Sequence, residues 1–227
     1  MGAEGNHLPT CYSRRMQKKK SSSPSYPRRP GPPQQVRIIG GAWKRTPLPV
    51  LDALGLRPTP DRVRETVFNW IQHQMPGDWD TAEVLDLFAG SGALGFEAAS
   101  RGAKSVTMID SAGAVVRQLD TIKDKLKADK VNVLRADALA VARDLARRGQ
   151  KFDVIFLDPP YQQEFLTQAL PLCAALLNEG GLVYAESGEP LPFPEQEGDA
   201  VPEWLAEWEV VRADKAGMVH FHLLKLH

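Results

Sequence analysis

Cysteine is nearly absent from this 227-residue chain, and its scarcity removes two readings at once. Cys11 and Cys173 are the whole supply, too few for a disulfide framework or a metal-ligand cluster, so both are read as free thiols and no metal is expected. Long apolar stretches are missing too. No run approaches the roughly 20 residues that cross a bilayer, and the N-terminus lacks the apolar centre of a secretory signal, so a soluble, cytoplasmic protein is the expectation. Net charge is also lacking, because 28 Lys and Arg balance 28 Asp and Glu. That zero hides an asymmetry. Residues 1–35 hold seven Lys and Arg against Glu4 alone, 36–64 hold six against Asp52 and Asp61, and the remainder is correspondingly acidic. A polyanionic partner is expected at the N-terminal end, where basic groups can displace condensed counterions. Lys18-Lys19-Lys20 can equally be a solvating tail.

Residues 1–35, rich in Ser, Pro, Lys and Arg, cannot bury enough apolar area to offset chain entropy and are expected to be a disordered basic leader. One domain over 36–227 follows, with monomer as the default. Within it, residues 36–52 read as two short strands around Gly40-Gly41, a hairpin arm whose Arg37, Trp43, Lys44 and Arg45 suit a nucleic acid. Arg57-Pro-Thr-Pro-Asp-Arg-Val-Arg-Glu65 then offers Thr59 or Asp61 as the cap of a helix over about 61–74. Beyond Asp80, apolar runs at 84–88, 105–109, 131–134 and 152–157 alternate with helical spacing at 92–101, 112–127, 138–149 and 163–177. This alternation predicts an α/β, Rossmann-like fold whose parallel sheet is covered on both faces. Gly180–Glu186 reads as a fifth strand. Trp208–Ala213 and Met218–Lys225 stand too close for a helical crossover and predict an antiparallel pair at the sheet's end.

The turn Asp86-Leu-Phe-Ala-Gly-Ser-Gly-Ala-Leu-Gly95 satisfies G-x-G-x-x-G, so a nicotinamide enzyme and a methyltransferase both fit it. Asp86 separates them. A carboxylate beside a pyrophosphate is unfavourable, whereas S-adenosylmethionine presents a sulfonium and an ammonium that it would attract. Phe88, Gly90 and Gly92 belong to the same expected cofactor turn. Asp110 ends the second strand, where it can accept from ribose hydroxyls. Asp137 follows the third, where it can accept from an adenine amine while the Ala138 backbone N–H meets a ring nitrogen. Either aspartate can instead cap the helix after it.

The fourth strand ends in Asp158-Pro-Pro-Tyr161. Prolines fix φ and donate nothing, so the Asp158 and Pro159 acceptors are aimed in set directions, ready for N–H groups. An exocyclic base amine is a poor nucleophile because its lone pair is delocalised, and two such acceptors can turn that pair toward a methyl group. Tyr161 offers a ring on which an extruded base can stack. A proline turn with Tyr161 covering a core edge is the structural alternative.

Taken in order, Asp86–Gly95, Asp110, Asp137 and Asp158–Tyr161 resemble the class I methyltransferases that modify exocyclic amines. Arg37-Ile-Ile-Gly-Gly41, Arg57-Pro-Thr59 and Asp61–Asn69 resemble the RsmD family, which methylates guanine N2 in bacterial 16S rRNA. This resemblance runs from about Val36 to the C-terminus. It implies a seven-stranded sheet with its last strand reversed, S-adenosylmethionine as cofactor, 16S rRNA or the small ribosomal subunit as partner, and Arg57, Thr59 and Arg62 over the cofactor's methionine end or the target nucleotide. An ionised Asp158 accepts but cannot donate, which suits an amino group without choosing between guanine N2 and adenine N6. A non-catalytic rRNA-binding assembly factor on the same fold is the remaining alternative.

Overall fold

The computed structural model describes residues 1–2, 35–50, 59–159, 163–193 and 200–227. Every element below lies within the unit Pro32–His227. Readings that concern the leader, Arg57, Tyr161 and the end of the arm at 51–52 lie outside the described residues.

The alternating pattern folds as its periodicity demands. Strands β3 (Glu83–Asp86), β4 (Ser105–Asp110), β5 (Val131–Arg135), β6 (Phe152–Leu157) and β7 (Leu177–Ser187) alternate with helices α2 (Ala93–Ser100), α3 (Gly113–Leu126), α4 (Ala138–Arg147) and α5 (Gln163–Leu176). Helix α1 (Asp61–Gln74) precedes them, and β8 (Trp208–Ala216) and β9 (Val219–Leu226) follow. The sheet order is β5-β4-β3-β6-β7-β9-β8. Its first five strands are parallel, and β9 runs antiparallel to both neighbours. The last strand is thus reversed and inserted between β7 and β8, in agreement with the short spacing between the two terminal runs. Strand β7 is longer than the run at 180–186 suggests. A register irregularity between Phe152 and Val154 lets it begin at Leu177, directly after α5.

Side-chain alternation splits the core in two. Val84, Val106, Met108, Val154, Phe156 and Tyr184 face α1, α2 and α3, while Leu85, Ile109, Ile155, Leu157, Val183 and Ala185 face α4 and α5. Both faces are buried, as a parallel sheet requires. No helix among the described residues is long and apolar enough to cross a membrane.

The N-terminal arm pairs β1 (Gln35–Arg37) with β2 (Pro47–Pro49), as the hairpin reading predicts. Its Gly-Gly turn, however, is spent on the protein itself. Glu97 of α2, fully buried, accepts from the backbone N–H of Ile39 at 2.6 Å and of Gly40 at 2.9 Å, and also from Arg101 Nε at 2.8 Å. Ser100 closes the same joint. Its carbonyl accepts from Ala42 N, its hydroxyl donates to Gly40 O, and that hydroxyl accepts from Trp43 N. Gly41 sits at φ 71° with a hypothetical Cβ 1.8 Å from Ser100 O, so only glycine lets the backbones approach this closely. Gly41→Ala is accordingly expected to undock the arm, costing on the order of 2 kcal/mol or more from the clash and the strained φ. A lowered thermal midpoint together with new protease cleavage between residues 37 and 47 checks this.

Buried Arg64 of α1 fastens the other side. Its Nη2 donates to Arg37 O at 2.8 Å and to Asp61 Oδ1 at 2.6 Å, and its Nε to Thr59 O at 3.2 Å, while Nη1 lies 3.9 Å from Glu97. Asp61 also receives Arg37 Nε at 2.6 Å. These bonds account for the Asp-Arg-Val-Arg spacing. The expected helix cap does not form: Pro60 is the N-cap residue and no side chain caps α1. Asp61 is drawn to the two arginines and Thr59 to a carboxylate across the sheet edge, both stronger partners than an exposed amide.

Candidate active site

Four adjacent strands each end in a carboxylate on the same face. Asp86 of β3 and Asp110 of β4 lie two residues beyond Val84 and Met108 and so share the face turned to α1, α2 and α3. Asp158, just after β6, and Glu186, near the end of β7, lie two residues beyond the paired Phe156 and Tyr184 and so share that face. This is the carboxyl edge of the sheet, where ligands of open α/β folds bind.

Asp86 is the most deeply placed, with 1% of its surface exposed. Its Oδ2 accepts from Gly95 N at 3.1 Å, but its Oδ1 is buried without a hydrogen-bond partner. Loss of water raises its pKa to about 7; hydrogen bonds from the Gly95 and Phe88 backbones pull it down, and the Asp110 charge pushes it up further. A buried acceptor with an unused oxygen is a fitting counterpart for a cationic group.

Asp110 holds the glycine turn. Oδ2 accepts from Gly90 N at 3.1 Å and Oδ1 from Ala112 N at 2.8 Å, tying the first βα turn to the second. Gly92 is the left-handed N-cap of α2 at φ 77°, and a Cβ there would meet Phe96 and Leu119 at 2.6 and 2.7 Å. Phe88 is half-buried and meets Phe165 of α5 edge-on at 5.6 Å between ring centroids. Asp137 is exposed and caps α4, accepting from Ala140 N at 2.8 Å, while buried Ala138 opens the helix. Capping occupies one Asp137 oxygen and leaves the carboxylate on the surface.

Asp158 keeps part of its surface exposed, and Pro159 beside it is buried. The tip of β6 is thus neither sealed inside nor loose. Loss of water first, then the charges of Glu186 and Asp86, raise the Asp158 pKa well above the carboxylate range, and the nearby Thr59 hydroxyl opposes them. Thr59 Oγ1 lies 2.7 Å from Glu186 Oε1 and 3.5 Å from Asp158 Oδ2, while Tyr184 Oη donates to the same Glu186 Oε1 at 2.7 Å. Burial raises the Glu186 pKa against these two donors.

Of the residues expected to meet RNA, Arg37, Lys44, Arg45 and Arg62 are exposed, and Trp43 is half-buried against the core. Thr59, expected over the cofactor's methionine end or the target nucleotide, lies at the carboxyl edge beside Asp158 and Glu186. At 5% exposure, with its hydroxyl turned to two carboxylates, it faces inward. Sequence reasoning passed over Glu186 and Arg64. Glu186 carried the same signal as Asp86, a carboxylate ending an apolar strand, and Arg64 none, since its value comes from contacts with distant backbone.

The family model described as "Conserved hypothetical protein 95" matches residues 36–225. Ribosomal RNA small subunit methyltransferase D of Escherichia coli K12 is 39% identical over 191 residues, 83% of this chain and 89% of that protein. Its namesake from Haemophilus influenzae is 38% identical over 201 residues, covering 83% and 93%. Among solved structures, the yhhF protein of Escherichia coli superposes with a TM-score of 0.71 at 38% identity over 85% of this chain and 98% of its own. With this extent of match laid over a methyltransferase-like sheet, the chain belongs to the RsmD family of methyltransferases.

Proposed function

We propose that this protein methylates ribosomal RNA of the small subunit with S-adenosylmethionine, and that the acceptor is the exocyclic N2 of a guanine in 16S rRNA. The observation that carries this reading is the row of Asp110, Asp86, Asp158 and Glu186 on one face of the carboxyl edge, beside the glycine turn. Such a concentration of negative charge favours a cationic cofactor over a pyrophosphate. The names of the two curated relatives supply the substrate class, and the exposed basic residues of the arm suit a phosphate backbone.

Bound S-adenosylmethionine supplies an activated methyl group: the nitrogen lone pair forms the new N–C bond as sulfur keeps the electrons of the C–S bond. The protein's part is positioning. Asp86 offers its unused Oδ1 to the ammonium, and Asp110, Asp137 and Ala138 receive the ribose and adenine. Asp158 and the Pro159 carbonyl each accept one N–H of the target amine and so aim its lone pair, and Tyr161 stacks the flipped base. Arg37, Lys44, Arg45, Arg57 and Arg62 contact the RNA backbone.

Tritium transfer from labelled cofactor tests the reading, with small ribosomal subunits and naked rRNA from cells lacking this gene as acceptors and the labelled nucleotide then mapped. Label on a guanine N2 is expected. Label on adenine N6 would move the substrate, and RNA binding with no transfer would leave an assembly factor.

A further inference from the structure

Glu186 takes no part in the mechanism above, yet it is held more tightly than Asp158. Buried Glu186 and partly exposed Asp158, on neighbouring strands, oppose each other when both are ionised, and one proton shared between them relieves this. The single hydroxyl proton of Thr59 goes to Glu186 at 2.7 Å, which leaves Thr59 Oγ1 facing Asp158 Oδ2 at 3.5 Å with a lone pair free to receive. The three groups therefore form a line: Asp158, the Thr59 hydroxyl, Glu186.

We propose that Glu186 is the resting place of the proton that methyl transfer releases, reached from Asp158 through Thr59; this rests on the reading of Asp158 as the group that holds the acceptor amine. When the N–C bond forms, the positive charge leaves sulfur and appears on nitrogen, which becomes strongly acidic. Asp158 takes the N–H proton. Thr59 accepts it from Asp158 while passing its own hydroxyl proton to Glu186, so that Asp158 is ionised again and the methylated amine is neutral. The timing follows from electrostatics. A cation beside the carboxylates keeps the pair ionised, and once sulfur is neutral the repulsion between Asp158 and Glu186 draws a proton in. The other groups bearing on this pair are Asp86, which acts on Asp158, neutral Tyr184, which donates to Glu186, and Arg64, whose charge reaches Tyr184. Glu186 and Thr59 act through Asp158 and are relay residues rather than catalytic ones.

Binding and turnover test this separately. In calorimetry repeated in buffers of different ionisation enthalpy, S-adenosylmethionine is expected to displace more protons than S-adenosylhomocysteine, and Glu186→Gln, which keeps the acceptor oxygen for Thr59 and Tyr184, to remove that difference. In single turnovers on small ribosomal subunits from cells lacking this gene, Glu186→Gln and Thr59→Val are expected to slow methyl transfer about tenfold or more with homocysteine-cofactor affinity retained, and Thr59→Ser to restore most of the rate. Glu186→Gln, which removes a like charge beside Asp158, is also expected to shift the acid limb of the rate–pH profile to lower pH. An unchanged proton count and acid limb in Glu186→Gln would overturn the relay, as would wild-type rates in Thr59→Val. If Thr59→Val fails to fold, the proton count and pH profile of Glu186→Gln decide. Absence of transfer by the wild type would sink the underlying functional reading, whereas a defect confined to the variants' pH behaviour concerns the relay alone.

Discussion

Asp158→Ala is expected to lower the rate of methyl transfer by roughly 10³-fold, while affinity for S-adenosylhomocysteine stays within several-fold of wild type. The two effects separate because Asp158 addresses the acceptor amine and Asp86 the cofactor, on neighbouring strands. Stability supplies a control. The folded-state pKa of Asp158 is raised, so its ionised form costs stability as pH rises out of the carboxylate range, and the cost persists at neutral pH. Removing it relieves the repulsion with Glu186. The variant should therefore melt no lower than wild type near neutrality, and any advantage should shrink on acidification. Thermal melts beside single-turnover rates test this, and a variant that transfers methyl groups at near-normal rate would remove Asp158 from the mechanism.

Asp86→Asn is expected to produce the second-largest change, a loss of S-adenosylmethionine affinity of about 10- to 100-fold. The pH dependence makes this specific. With a folded-state value of about 7 against 3.8 for the free carboxyl, Asp86 costs the free protein stability as pH rises from 3.8 toward 7, and that stability returns on acidification. Cofactor affinity should move the opposite way. A cationic ligand prefers the ionised carboxylate, so binding weakens by up to about tenfold for each pH unit below about 7, and for S-adenosylhomocysteine that slope disappears in the asparagine variant. The ammonium is common to both ligands, so Asp86 contributes equally to the pH dependence of S-adenosylmethionine and of S-adenosylhomocysteine. Equilibrium binding between about pH 5.5 and pH 8 decides the matter. A flat profile for wild type would mean that Asp86 does not face the cation.

Much of the framework could be read from the residues because each layer obeys a single local period. Strands buried on both faces give continuous apolar runs, as in Phe152–Leu157, and the amphipathic spacing of Gly113–Leu126 marks a surface helix. The terminal hairpin was legible from chain length alone. Caps were not. Thr59 and Asp61 satisfy every local criterion for an N-cap, but Glu186, 127 positions from Thr59, and Arg37, 24 positions from Asp61, compete for them, and no local window of sequence holds that competition. Asp137 shows the reverse, a local cap that forms as its neighbouring residues allow. The Gly40-Gly41 pair was recognised as a turn, but its use as a seat on α2 depends on Ser100, nearly sixty positions downstream.

Helix α2 is only eight residues long, and both of its ends are committed. At about 1.5 Å per residue it spans roughly 12 Å. Its first turn emerges from the glycine loop that Asp110 anchors, and its last is bolted to the basic hairpin through Glu97 and Ser100. It is a short strut with the basic arm at one end and the glycine loop at the other. Tension on the hairpin has no slack in which to dissipate before it reaches that loop, so under the proposed function gripping a nucleic acid and seating the small molecule would be mechanically one operation.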